Sequence, residues 1–266
     1  MRSRRDGRGG VTLTAILVLL AVLVGPAWAQ TGAQPPPSQP IGAVPADDFL
    51  FGRPRGSLGI RGNFVMPSEG SDIFDFVQQQ LTIEKGDFAG PGFSADIGWS
   101  LTERLDIVGG FEFARKKVQS EYRDFVDNDL RPIEQETQLD QNLLTGSLRF
   151  ALTPRGTRAG SYAWVPSRFT PYVGVGGGMM WWRFQQTGDF VDFEDLGVFP
   201  DTFRSDGLAP TGHLFGGADI QLYKRFAVSV EGRYVWASGT LDEEYVGFEP
   251  IDLSGFRFSA GFNVVF

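Results

Sequence analysis

Apolar residues recur at every second position in eight separate stretches of this chain, and that period admits few folds. A strand turns successive side chains to opposite faces, so strict alternation marks a sheet with a different environment on each side. In 57–66, Leu58, Ile60, Phe64 and Met66 share one face, and Ser57, Gly59, Arg61 and Asn63 the other. In 93–101, Phe93, Ala95, Ile97, Trp99 and Leu101 oppose Ser94, Asp96, Gly98 and Ser100. Leu105, Ile107, Phe111 and Phe113 oppose Asp106, Gly110 and Glu112, and Leu144, Leu148, Phe150 and Leu152 oppose Thr145, Ser147 and Arg149. The stretch 170–184 is blurred by glycine but keeps Val173, Val175, Met179 and Trp181 together. Leu214, Ala218, Ile220 and Leu222 face away from Gly217, Asp219 and Gln221. Phe226, Val228, Val230, Tyr234 and Trp236 oppose Ser229, Glu231 and Arg233. Last, Phe256, Phe258, Ala260, Phe262, Val264 and Phe266 oppose Arg257, Ser259 and Asn263.

The connections alternate in length. Residues 102–104 and 224–225 are tight turns, while 67–87, 118–140, 185–208 and 239–251 are long loops. Short turns at one end and long loops at the other are the layout of a transmembrane barrel, with both termini on the short-turn, periplasmic side. The connection 153–168 is longer than such a turn requires. Charge follows the same division: the four long loops carry a net −18, and the remaining connections +5 from Glu103, Arg104, Arg155, Arg158, Arg168, Lys224 and Arg225.

The same alternation would suit a soluble barrel with its apolar face inward. Two features favour lipid outside. The polar faces hold Arg61, Asp96, Asp106, Glu112, Arg149, Asp219, Glu231, Arg233 and Arg257, five acids and four bases, nearly balanced as an internal ion-pair network must be. The large aromatics also cluster at strand ends. Trp99, Phe226 and Phe266 lie by the short turns and Trp181, Trp182 and Trp236 by the long loops, as two interfacial girdles would.

The first residues agree with export. Arg2, Arg4, Arg5 and Arg8 precede an apolar stretch at 11–24, and Ala27-Trp28-Ala29 offers a cleavage site, so 1–29 is expected to be a signal peptide. With no cysteine in the chain, a lipid-anchored form and thiolate chemistry are excluded. Residues 30–54, with Pro35-Pro36-Pro37 and Pro40, are expected to be a Pro-rich periplasmic linker, and 55–266 the barrel domain. Loss of 1–29 would take the net charge from −8 to −11, which argues against a nucleic-acid surface.

The signal, the strand opened by Tyr172-Val173-Gly174-Val175-Gly176 and the terminal Phe266 resemble the OmpA-type and OmpW-type small outer-membrane barrel families over about 55–266. The resemblance implies an all-β, eight-stranded antiparallel up-and-down transmembrane barrel in the outer membrane of a two-membrane bacterium. It also implies recognition of Phe266 by the outer-membrane assembly machinery. The chain is expected to depart from full OmpA architecture in lacking a peptidoglycan-binding domain.

Catalytic chemistry is sparse. His213, the single histidine, sits on a polar face without a Ser two residues away, and is read as a lumenal side chain hydrogen-bonded to acidic neighbours. Gly174-Val175-Gly176-Gly177-Gly178 lies inside a strand with no helix after it, so it is not a phosphate loop and serves to make room for large side chains opposite. The acidic groups Asp124, Asp127, Asn128, Asp129 and Asp189, Asp192, Glu194, Asp195 lack EF-hand spacing, although a divalent cation could bridge them to lipid headgroups. No catalytic, cofactor-binding or metal residue is assigned. The expected role is non-enzymatic, in envelope structure or surface interaction through acidic extracellular loops. A narrow, porin-like gated channel is the alternative, and a lipid A-modifying enzyme a third, less favoured reading.

Overall fold

The computed structural model describes residues 50–127, 129–159, 162–192 and 197–266, so the expected signal peptide and most of the expected linker lie outside the described residues. The eight alternating stretches are eight strands: β1 (Gly56–Pro67), β2 (Gly90–Ser100), β3 (Leu105–Val126), β4 (Pro132–Ala151), β5 (Phe169–Val191), β6 (Val198–Tyr223), β7 (Phe226–Gly239) and β8 (Gly255–Val265). Each pairs antiparallel with the next in sequence, and β8 returns to pair with β1, from Gly255 opposite Pro67 to Val265 opposite Ser57. The ring is therefore closed. Phe266 completes the seam, its N–H donating to the Gly56 carbonyl at 2.9 Å and its carbonyl accepting from Arg55 and Gly56.

The pleat sorts the side chains as the alternation requires. Leu58, Ile60 and Phe64 of β1 are about half exposed, whereas Arg61 between them is 5% exposed. The same inversion holds around the ring: exposed Ile97, Ile107, Phe111, Leu148, Val175, Leu214, Val230 and Phe258 cover the outside, and charged groups are buried within. A water-soluble barrel would reverse the two faces. An apolar exterior around a charged interior is stable where lipid is the outer solvent, because hydrocarbon demands no hydrogen bonds and the closed ring gives each of the eight strands a hydrogen-bonded neighbour on both sides. None of the described helices is long and apolar enough to cross a membrane.

Two of the expected long loops, 118–140 and 185–208, are instead continuations of strands. β3 and β4 stay paired up to Glu121 opposite Glu134, and β5 and β6 up to Val191 opposite Val198. On the outer face of β3, exposed Phe113 is followed two residues later by Arg115 and then Lys117. On β5 Trp181 is followed by Arg183, and on β6 Leu208 gives way to Asp206. The outer face thus changes from apolar to charged while the ladder runs on, which marks the edge of the bilayer. Beyond it β3 and β6 continue for about 30–40 Å of strand length. Outward ion pairs dress this part, with Arg115 to Asp140 at 2.9 Å and Lys117 to Glu136 at 2.6 Å.

β1, β2, β7 and β8 stop near the membrane surface, so the tall β3–β6 sheet has two free edges, which unpaired would invite association. Both are covered by the chain itself. Along β3, Leu81 bridges Tyr122, Thr82 N–H donates to the Glu121 carbonyl, and the Arg123 guanidinium caps the carbonyls of Leu81 and Ile83. Along β6, the carboxylates of Glu244 and Asp242 accept from the N–H groups of Arg204 at 2.6 Å and Asp206 at 3.0 Å, standing where a neighbouring strand's carbonyls would be.

The expected loop 67–87 holds a helix, α1 (Asp72–Gln80), whose Ile73, Phe74 and Val77 fall on one face at helical spacing. That face turns into the barrel mouth. With Leu81, Ile83 and Phe88 it packs on Leu139 and Leu143 of β4, Met180, Trp182 and Phe184 of β5, Val235 of β7, and Tyr245, Ile251 and Leu253 of the β7–β8 loop. At the other end, residues 153–168 contain the short strands Gly156–Ala159 and Ala163–Pro166, and Leu50–Phe51 pairs with the second of these. Leu50 and Phe51 therefore belong to a small sheet, not to an extended linker. Ala163–Pro166 is the central strand of this sheet, paired on both sides and carrying the buried Trp164, which accounts for the length of the 153–168 connection.

Candidate functional site

The alternation that points Leu58 and Phe111 at lipid points Arg61 and Glu112 into the lumen, and all nine expected lumenal charges lie inside the ring. They form two groups at different depths. Nearer the periplasm, Arg149 donates to Asp106 at 2.9 Å and reaches Asp219 at 3.5 Å, and Arg155 donates to the other oxygen of Asp106 at 2.6 Å. In the middle, Arg61 meets Asp96 at 3.2 Å and Glu231 at 3.8 Å, Arg233 meets Glu231 at 2.8 Å, and Arg257 pairs with Glu112. Each guanidinium group has a carboxylate partner: even Arg233 and Arg257, which stand directly opposite one another in the β7–β8 register, are held by Glu231 and Glu112 respectively. In a medium of low dielectric this arrangement offsets the desolvation of each ion.

Uncharged partners complete the set. Tyr172 donates its hydroxyl to Glu231 at 3.1 Å while the Arg149 guanidinium lies over its ring, 5.1 Å from the centroid. Gln141 accepts from Arg257 at 2.8 Å. Sequence reading assigned Arg155 to the periplasmic rim and passed over Tyr172 and Gln141. The parity of Tyr172 with Gly174 and Gly176 and that of Gln141 with Thr145 and Ser147 were the available signals. The space left between the central charges, about 20 Å³, is that of a water molecule and no more.

His213 is buried, its Nε2 2.8 Å from Ser147 Oγ. The partner is a serine, not one of the acidic neighbours the sequence suggested. The strand glycines do make room as expected: a Cβ at Gly174 would strike the ring of Phe215, and one at Gly176 would lie 2.7 Å from His213 Nε2.

Of the six expected girdle aromatics, Trp99, Trp181, Phe226, Trp236 and Phe266 are about half exposed on the outer surface. Trp182 is not. It follows outward-facing Trp181 in the same strand, so the period of two turns it inward, and it is 3% exposed within the mouth cluster.

The mouth itself is apolar and aromatic. Phe74 meets Phe88 and Phe184 edge-on, with centroids 5.4 and 5.9 Å apart, and Phe184 meets Tyr245 at 5.8 Å. Beneath α1 the buried Glu69 accepts from Gly86 N–H at 3.1 Å and Gln78 Nε2 at 3.2 Å, and burial raises its carboxyl above the usual range. Above the cluster, Phe76, Tyr122, Phe190, Phe199, Phe203 and Phe248 line a cavity of about 200 Å³. Among the described residues no three acidic or imidazole groups converge as a metal site would require. Asp127 closes the β3–β4 turn, accepting from the N–H groups of Asp129 and Arg131. Asn128, Glu194 and Asp195 lie outside the described residues.

No family model and no curated protein matches the chain. Solved structures do. OprG of Pseudomonas aeruginosa, an outer membrane protein, aligns at 14% identity over 82% of this chain and 99% of its own, with a TM-score of 0.45. Neisserial surface protein A aligns at 12% identity over 79% and 97%, with a TM-score of 0.41. The outer membrane protease OmpT of Escherichia coli aligns at 12% identity over 82% and 98%, with a TM-score of 0.31. Similarity this low carries no functional argument, and the chain's own strand register and its inverted faces establish what it is: an eight-stranded outer-membrane β-barrel.

Proposed function

We propose that this protein is a closed, non-conducting outer-membrane barrel that acts through its extracellular face, in surface interaction, and not by passing solutes. The observation that carries this reading is the apolar cluster at the mouth, where Ile73, Phe74, Val77, Ile83 and Phe88 are at most 2% exposed. Below it the paired charges occupy the lumen, and an eight-stranded ring is only wide enough for such side chains. A solute would have to displace both layers. What extends away from the membrane is the tall β3–β6 sheet with its charged outer surface, on the side bearing the acidic loops. An acidic rim of this kind suits a cationic partner, or an anionic one bridged by divalent cations.

The folded protein in planar bilayers is expected to give no single-channel steps, even at several times the voltage used for porins. Steady steps whose size changes when Arg61, Glu231 or Arg257 is neutralised would overturn the reading in favour of a narrow channel.

A further inference from the structure

At the periplasmic end every connection carries at least one exposed cation. Arg55 precedes β1, Arg104 lies between β2 and β3, Arg158 and Arg168 between β4 and β5, and Lys224 and Arg225 between β6 and β7. All six are exposed, and none makes an ion pair among the described residues. Glu103 is the single carboxylate on these connections. This contrasts with the lumenal guanidinium groups of Arg61, Arg149 and Arg257, each of which has a carboxylate partner. Arg155, on the same connection as Arg158, is also consumed by Asp106. The six are thus a separate population, distributed around the ring.

Their level is defined by what lies next to them. Exposed Trp99, Leu101, Leu152, Phe169, Phe226 and Phe266 end the apolar band within a few residues of these cations. Aromatic rings at such a boundary sit among lipid headgroups, and the long stems of Arg and Lys can lie along the apolar surface while their charges remain at headgroup level. A partner protein would meet one side of the barrel. Cations on all three connections and on the segment before β1 instead fit a partner that surrounds it.

We propose that this belt binds the anionic headgroups of the phospholipid leaflet facing the periplasm, selecting phosphatidylglycerol-like lipids over zwitterionic ones. The acidic extracellular rim repels the same headgroups, so the two rims together also fix the direction in which the barrel sits. The proposal goes beyond the closed-lumen reading and does not depend on it, since its readout involves no conductance.

The test is native mass spectrometry of the folded protein released from micelles doped with equal amounts of phosphatidylglycerol and phosphatidylcholine of matched acyl chains. Phosphatidylglycerol adducts are expected to exceed phosphatidylcholine adducts about tenfold, the effect of one to two cations per bound headgroup. The variant with Arg55, Arg104, Arg158, Arg168, Lys224 and Arg225 all changed to Gln should bind the two lipids equally while still showing a folded, heat-shifting band. Should that variant fail to fold, the wild-type preference must itself fall as ionic strength rises from about 0.05 to about 0.5 M. Equal binding by the wild type, or a preference that survives either salt or the six substitutions, overturns the proposal.

Discussion

A Phe74→Ala variant is expected to lose about 3–5 kcal/mol from the stability of the mouth cluster, the usual cost of removing a fully buried aromatic ring. Phe74 is 0% exposed and joins three parts of the cluster, touching Phe88 from its own loop and Phe184 from β5. The loss should be local. Removing the ring leaves the ladder of eight strands intact, so amide exchange in 72–88 should accelerate by a factor of about 100 or more, at about 1.4 kcal/mol per tenfold, while β1, β2, β7 and β8 stay protected. Uniform acceleration throughout the barrel would mean that α1 and the wall unfold as one unit, against the layered description above.

Changing Arg257 to Met is expected to cost about 3–5 kcal/mol of global stability, because it leaves a buried carboxylate without its counterion. Arg257 is 2% exposed, pairs with Glu112 and donates to Gln141, and Glu112 has no other salt-bridge partner among the described residues. Adding Glu112→Leu should restore most of what was lost, since removing both charges also removes the desolvation they suffered. The measurement is urea unfolding in lipid vesicles of the two single variants and the double. If the double variant is as unstable as the worse single, the pair is not the unit that the 2.5 Å contact implies.

What could be read in the sequence was the part of the barrel that lipid constrains. Leu58, Ile60 and Phe64 against Arg61 and Asn63 form a two-sided pattern because hydrocarbon lies on one side and a charged lumen on the other. Outside the membrane that contrast fades. In β4, Asp140 and Gln138 on the outer face alternate with Leu139 and Thr137 on the inner one, and Arg115 covers Asp140, so both faces mix polar and apolar residues. Such a segment has the composition of a loop, yet it pairs as strand. The mouth cluster was hidden for another reason. Ile73, Phe74 and Val77 announce an amphipathic helix, but what they pack on comes from β4, β5, β7 and the 251–253 segment, and no local pattern names such distant partners. The lumen was more legible, since parity alone places its nine charges inside. Which acid meets which base was not, because pairs such as Arg257 with Glu112 join non-neighbouring strands across the lumen.

The central claim is that one face of each strand meets lipid within the bilayer and water beyond it. Because the chain has no cysteine, single cysteines can be placed along β3 without background and spin-labelled in reconstituted vesicles. At Ile107, Phe111 and Phe113 the label should be open to oxygen, which partitions into hydrocarbon, and shielded from a polar nickel complex. At Lys117 and Gln119, on the same face of the same strand, that preference should reverse. At Asp106 and Glu112, on the lumenal face, both agents should be excluded. If instead the nickel complex reaches Ile107 and Phe111, those side chains face water and not lipid, and the account of this protein as a membrane-spanning barrel with a charged interior is wrong.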